Sequence, residues 1–231
     1  MTANDKSKSA SRILIVDDHP LFRKGLRELI EREPGWSVCD EAANAAQAMR
    51  LVEETKPDLV IVDITLAGTN GIDLIKNLAS QIAELPLLVI SMHDESLYAE
   101  RAIRAGAMGY VMKDEPPKTV KAAIRRVLAG EMYLSPEMSA SLITRLIRGG
   151  GEQKETTVSR LSDREIEIFR LLGQGKETKQ IASELNLTIA TINSYRARIK
   201  EKLDLNSPTE LLHKAISWVQ EEAGNNSNAP A

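Results

Sequence analysis

Between residues 13 and 129, five short apolar runs (13–16, 36–41, 59–62, 87–90 and 110–112) alternate with five longer stretches whose apolar residues recur every three or four positions. That alternation admits few folds. Runs this short suit strands, and strands that are apolar throughout are buried on both faces, as in a parallel sheet covered by helices on each side. The stretches 20–31, 45–56, 71–83, 96–105 and 117–129 supply those helices, with Leu21, Leu26, Leu29 and Ile30 tracing the apolar stripe of the first. The expected architecture is a multidomain chain that begins with an α/β doubly wound five-stranded parallel sheet.

The pattern changes after Gly130. Residues 136–147 read as one more helix, Gly149, Gly150 and Gly151 form a hinge, and the polar stretch 152–157 follows. Four helical segments without a strand come next, at 163–172, 179–185, 189–203 and 209–219, the pattern of a small all-α four-helix domain. The expected division is a first domain over 12–129, a linker over 130–156, a second domain over 157–222, and flexible tails at 1–11 and 223–231. The polar start MTANDKSKSAS has no apolar core of a secretory signal, and no stretch approaches the roughly 18 apolar residues that span a bilayer, so a cytoplasmic location is expected. The single cysteine, Cys39, excludes a disulfide framework and a cysteine-based zinc site.

In open α/β sheets ligands bind beyond the carboxyl ends of the strands. There the chain places Asp17 and Asp18 after the first run, Asp63 after the third, Ser91 after the fourth and Lys113 after the fifth. Three carboxylates at one edge repel one another unless a cation sits among them, and oxygen-only ligation points to Mg2+. A lone aspartate at a strand end is as readily a helix N-cap, but five such residues at four strand ends are not explained that way. An ammonium and a hydroxyl beside the cation complete a pocket for a tetrahedral anion. The set suits phosphoryl transfer to a carboxylate: Asp63 attacks in line, Asp17, Asp18 and Asp63 hold Mg2+, and Lys113 and Ser91 hold the remaining oxygens.

The segments ILIVDDHPLFRKGL, VIVDITLAGTNG, VISMH and GYVMKD resemble the receiver domain of two-component response regulators over residues 12–129, a flavodoxin-like fold. The resemblance implies that Asp63 takes phosphate from a sensor histidine kinase, that the Thr65 backbone carbonyl joins the metal site, and that Ser91 and Tyr110 form a switch pair. On phosphorylation Ser91 swings to the phosphate and Tyr110 fills the space it leaves. Leu66 and Ala67 stand where the family usually has Met-Pro, which frees the loop after Asp63 and bears on the lifetime of the phosphate. His93, two residues past Ser91, either faces the phosphate, where it would influence hydrolysis, or, as is more common for such a residue, faces solvent.

The whole chain carries a formal charge of -3, so any binding of DNA must rest on local charge. With aromatics at 3%, a stacking platform for single strands is excluded as well. In TKQIASELNLTIATINSYRA two short helices meet at a tight turn near Asn186, the spacing of a helix-turn-helix, and 185–202 carries Arg196, Arg198, Lys200 and Lys202 against Glu201 alone. The longer stretch LSDREIEIFRLLGQGKETKQIASELNLTIATINSYRARIKEKL resembles the LuxR-type DNA-binding domain, and its pairing with a receiver is that of the NarL/FixJ class. The resemblance implies a recognition helix from about Ile189, with Thr178, Lys179, Thr191, Asn193, Ser194, Tyr195, Arg196, Ala197, Arg198 and Lys200 at the DNA. It also implies dimeric binding to paired half-sites through the last helix, where Leu212, Ile216 and Val219 form a stripe that could equally be core. Thr191-Ile192-Asn193 replaces the family's common Thr-Val-Lys, and Tyr195 a common His. Asn193 can pair bidentately with adenine where lysine would favour guanine or phosphate.

These features describe a transcription regulator, not an enzyme: phosphorylation of Asp63 leads to a homodimer that binds double-stranded DNA. Two alternatives remain at this level. One is a constitutive DNA binder whose receiver serves only as an interaction module. The other is a phosphohydrolase of the haloacid dehalogenase type, whose second aspartate would stand where this chain has Thr65.

Overall fold

The computed structural model describes residues 10–66, 69–93, 95–147 and 157–226. The chain forms two compact units, residues 1–149 and 150–231. The expectations about Ala67, the hinge at 149–151 and the ends at 1–9 and 227–231 lie outside the described residues.

The first unit runs β1 (Ser11–Val16), α1 (Pro20–Glu31), β2 (Trp36–Ala42), α2 (Ala45–Thr55), β3 (Leu59–Val62), β4 (Thr65–Leu66), β5 (Thr69–Asn70), α3 (Gly71–Gln81), β6 (Leu87–Ser91), α4 (Glu95–Ala105), β7 (Gly109–Met112), α5 (Pro117–Leu128) and α6 (Pro136–Ile147). The five longer strands form one parallel sheet in the order β2-β1-β3-β6-β7. The chain steps outward from β1 to β2 and then crosses back to β3, so the strand order reverses between β1 and β3. A crevice opens at such a reversal, on the carboxyl side of the strands.

Side-chain alternation divides the core between the two faces. Ile13, Ile15, Leu59, Ile61, Leu88 and Ile90 pack with Leu26 and Ile30 of α1 and with Val120, Ile124 and Val127 of α5. Helices α2, α3 and α4 bury Leu51, Val52, Ile75, Leu78, Ala99 and Ala102, and each buried aliphatic side chain is worth about 1.5–3 kcal/mol relative to exposure. One expectation fails in detail: Leu21 is 88% exposed. Phe22 takes its place beside Leu26 and Leu29, because positions 22, 26, 29 and 30 follow the helical period better than 21 does.

Two features are absent from the period-two pattern. Thr65 and Leu66 pair antiparallel with Asn70 and Thr69, closing the loop after Asp63. Tyr133, expected in a linker, bridges Gly109 in parallel, and its carbonyl accepts from the Tyr110 N–H at 3.0 Å. The chain beyond α5 thus extends the sheet edge, and α6 packs beside α4 with Met138 buried.

The second unit comprises a 3-10 turn (Thr157–Arg160), α7 (Asp163–Gly173), α8 (Thr178–Glu184), α9 (Ile189–Lys202) and α10 (Pro208–Asn226). Ile181, Ala182, Leu185, Ile192, Ile199, Leu203, Leu211 and Ala215 are buried around Ile166, Ile168 and Phe169. Helix α10 continues to Asn226, into the stretch expected to be a tail. Once a helix is nucleated on its packed first turns, propagation gains one hydrogen bond for each further residue fixed. Among the described residues, no helix is long and apolar enough to cross a membrane.

Candidate functional site

Backbone hydrogen bonds that continue past the strand ends set out the functional residues in a row. The Asp17 N–H reaches the Ala42 carbonyl at 3.0 Å, the Asp63 N–H that of Val16 at 2.8 Å, and the Lys113 N–H that of Ser91 at 2.8 Å. The ladder hydrogen bonding thereby continues through the first residue beyond β1, β3 and β7. Helix α3 is held hard against this edge: a Cβ on Gly71 would lie 2.0 Å from the Asp63 carbonyl oxygen, so no other residue fits. Asn70 caps α3 by accepting from the Ile72 N–H at 2.9 Å.

Asp17, Asp18, Asp63 and Lys113 come together as the sequence reading expects. Lys113 Nζ lies 2.6 Å from Asp17 Oδ2 and 2.7 Å from Asp63 Oδ2, and 4.4 Å from the centre of the Phe22 ring. Burial pushes the Asp63 carboxyl up to about 6, with the Asp17 charge adding to the rise and Lys113 and the Thr65 backbone N–H opposing it. One ammonium does not balance three carboxylates. The other side of the cluster is open to a cation: Asp18 Oδ1 and Asp63 Oδ1 are buried without an aligned hydrogen-bond partner. Ligand atoms of Asp17, Asp18, Asp63 and His19 all fall within 4.8 Å of one another. The residues fit a small divalent cation such as Mg2+.

Ser91 and Tyr110 are both fully buried. Tyr110 is already inside, its hydroxyl donating to the His93 carbonyl at 2.7 Å, so its ring does not wait outside for Ser91 to move. His93 is the clear correction to the sequence reading. It is 1% exposed, with Nε2 2.8 Å from Thr65 Oγ1, its ring 4.5 Å from that of Tyr98 and its N–H 3.3 Å from Ser91 Oγ. A polar residue in a loop gives no sequence signal of burial; here the neighbouring β4 ladder supplies the partner that makes burial affordable.

In the second unit, Asn186 adopts a left-handed φ of 50° at the turn between α8 and α9, and Thr188 caps α9 by accepting from the Thr191 N–H at 3.1 Å. With Ile192 and Ile199 inward, Asn193, Ser194, Ala197 and Arg198 form an exposed strip. Lys179 is exposed too, while Lys200 and Tyr195 are half-buried and the Arg198 guanidinium lies 5.8 Å from the Tyr195 ring. Arg196 donates to Thr178 Oγ1 at 2.6 Å, and the Thr191 hydroxyl meets that of Thr188 at 2.8 Å, so these side chains position the helices as well as facing outward. Lys202 is spoken for by buried Glu165 at 2.7 Å, which reduces the basic footprint of α9. Burial pushes the Glu165 carboxyl up, but Lys202 and the Ser162 N–H outweigh it and leave the group below its usual range. Of the stripe on α10, Leu212 is exposed while Ile216 and Val219 are half-buried; the core side is Leu211 and Ala215, with Trp218 5.5 Å from Phe169.

Sequence reasoning gave no role to Arg164, whose guanidinium reaches Glu167 at 2.7 Å and the Leu185 carbonyl at 3.2 Å. It ties α7 to the turn before α9. His19 was likewise passed over, although it directly follows the two aspartates.

Residues 13–125 match the family model of the response regulator receiver domain, and residues 159–215 that of the bacterial regulatory proteins of the luxR family. The chain is 32% identical over 216 residues to the nitrate/nitrite response regulator protein NarL of Escherichia coli (strain K12), covering 94% of this chain and 98% of that protein. A crystal structure of a two-component response regulator of the LuxR family from Aurantimonas sp. SI85-9A1 matches with a TM-score of 0.56 at 41% identity, over 60% of this chain and 99% of that one. RcsB from Salmonella enterica serovar Typhimurium, solved bound to promoter P1flhDC in the presence of phosphomimetic BeF3-, matches with a TM-score of 0.59 at 25% identity over 90% of this chain and all 100% of that one.

Proposed function

The chain belongs to the two-component response regulators that join a receiver to a LuxR-type DNA-binding domain, and from that premise we propose that phosphorylation of Asp63 controls its binding to DNA as a dimer. It is a regulator of transcription, and its domain pair implies a sensor kinase and DNA as partners. The observation that carries the proposal is the cluster of Asp17, Asp63 and Lys113 at the β1/β3 reversal, with unpartnered buried oxygens on Asp18 and Asp63.

Asp63 attacks the phosphorus of a phosphohistidine on the sensor kinase in line. The new bond joins a carboxylate oxygen to phosphorus as the P–N bond breaks, and the imidazole leaves with its electron pair. Asp17, Asp18, Asp63 and the Thr65 carbonyl would hold Mg2+, which would supply positive charge to the oxygens of the transferring group. Lys113, anchored between Asp17 and Asp63, pairs with one phosphoryl oxygen and Ser91 with another. Because Tyr110 is already bonded to the His93 carbonyl, phosphorylation fixes the ring inward by drawing Ser91 and its loop to the phosphate. This replaces the simple exchange of places expected from the sequence.

In the cytoplasm the second unit meets double-stranded DNA through α9. Asn193, Ser194 and Ala197 face base edges, Lys179, Arg198 and Lys200 supply phosphate contacts, and Thr178, Thr191, Tyr195 and Arg196 hold the helix at its docking angle. Few cations per unit make single-site binding weak, and pairing two units on paired half-sites compensates, with Leu212 and Ile216 at the dimer contact. The test is reaction with phosphoramidate and Mg2+, followed by intact mass. The native chain gains one phosphoryl group and Asp63→Asn none; equal labelling of both contradicts the assignment.

A further inference from the structure

The acidic pocket has a fourth side chain. His19 Nδ1 lies 2.7 Å from Asp18 Oδ1, 3.2 Å from Asp17 Oδ1 and 3.9 Å from Asp63 Oδ2. Its backbone is fixed on both sides: the N–H donates to Asp17 Oδ1 at 2.7 Å, the carbonyl accepts from the Arg23 N–H at 3.1 Å, and Pro20 follows at the first turn of α1. Only the side-chain torsions remain free, and in the structure they set the 60% exposed imidazole over the carboxylates.

The charges around the pocket divide into two sides. Lys113 takes the Oδ2 atoms of Asp17 and Asp63, and Arg23 is occupied by the Asp17 carbonyl and by Glu41. Neither meets Asp63 Oδ1 or Asp18 Oδ1, which have no aligned partner, and His19 Nδ1 stands within 4 Å of all three carboxylates. One ligand atom from each of Asp17, Asp18, His19 and Asp63 lies within 4.8 Å of the other three, a grouping that a single small cation could engage.

We propose that His19 is a protein ligand of the metal in this pocket, and that the pocket in consequence takes a borderline first-row divalent ion more tightly than Mg2+. Carboxylate oxygens suit Mg2+ and Mn2+ alike, whereas an imidazole nitrogen adds affinity for the transition ions and little for Mg2+. Mn2+ is the natural probe because it accepts both donor types and is paramagnetic. The inference rests on the metal-site reading of the pocket given above.

The experiment uses the full chain labelled with 15N-histidine, of which there are three residues, His19, His93 and His213. Mn2+ binding is followed by loss of the free-ion EPR signal and imidazole ligation by pulsed EPR. Direct 15N coupling is expected in the native chain, absent in His19→Ala and retained in His93→Ala. Mn2+ affinity is expected to fall about tenfold in His19→Ala, with Mg2+ affinity changing less than about twofold. Bound Mn2+ without imidazole coupling, or coupling that survives His19→Ala, overturns the role of His19 and leaves the carboxylate site standing. No Mn2+ binding by the native chain overturns both.

Discussion

The two units bury charge in opposite ways. In the helical unit, Arg164 meets Glu167 and a backbone carbonyl, and Glu165 meets Lys202 and the Ser162 N–H. In the α/β unit, the carboxylates of Asp17 and Asp63 share one lysine, Asp18 stands beside them, and Asp18 Oδ1 and Asp63 Oδ1 have no aligned hydrogen-bond partner. Buried charge that is paired is structural. Buried charge left unbalanced costs stability and persists where a ligand is to supply the balance. The clustering of like charges around one lysine, and not an unpartnered atom alone, since Glu167 Oε1 and Arg170 Nε have no aligned hydrogen-bond partner in the helical unit either, is what sets the first unit apart.

The sharpest way to break this comparison is to remove one charge from each unit. Arg164→Ala removes the cation beside buried Glu167 and the donor to the Leu185 carbonyl, and chemical denaturation is expected to show the helical unit destabilised by about 3–5 kcal/mol. A loss under 1 kcal/mol would show that the pair is not structural. On the exposed face, Asn193→Lys is expected to move base preference from adenine toward guanine by about 1–3 kcal/mol, read by selection from randomised DNA. An unchanged preference would remove Asn193 from the readout.

Glu165→Gln tests the paired group by pH. Because the folded-state carboxyl lies below the ordinary value of 4.5, its stabilisation is present above that pH and is lost as pH falls through the folded value. The variant is expected to be about 1 kcal/mol less stable at neutral pH and to converge with the parent in acid, measured by thermal unfolding across pH. A gap independent of pH contradicts the assignment. The smallest effect is expected where charge is unbalanced: without metal, Asp63→Asn relieves repulsion with Asp17 and melts at or above the parent temperature. A clear drop would mean that Asp63 is held as a structural ion.

Much of this was legible in the sequence, and the exceptions share a cause. The strands read cleanly because burial on both faces leaves no polar position, and Asp17, Asp63 and Lys113 read cleanly because they directly follow them. Tyr133 and the Thr65/Asn70 ladder did not, because a single bridge or a two-residue strand carries no period. The burial of His93 and Arg164 and the pairing of Lys202 with Glu165 left no trace in the sequence, because a polar side chain shows its burial only through partners distant in the chain. Leu21 and Phe22 show the same limit inside a correctly placed helix: two adjacent apolar residues compete for one inward position, and the sheet decides.

The central claim is that Asp63 in the first unit governs DNA binding by the second. The direct measurement is the affinity of the full chain, with and without phosphoramidate and Mg2+, for a DNA fragment selected by the phosphorylated protein. Phosphorylation is expected to tighten binding at least about tenfold in the native chain, within the usual range of allosteric coupling, and to leave Asp63→Asn unchanged. Superimposable binding curves for fully phosphorylated and unphosphorylated native protein would contradict the account.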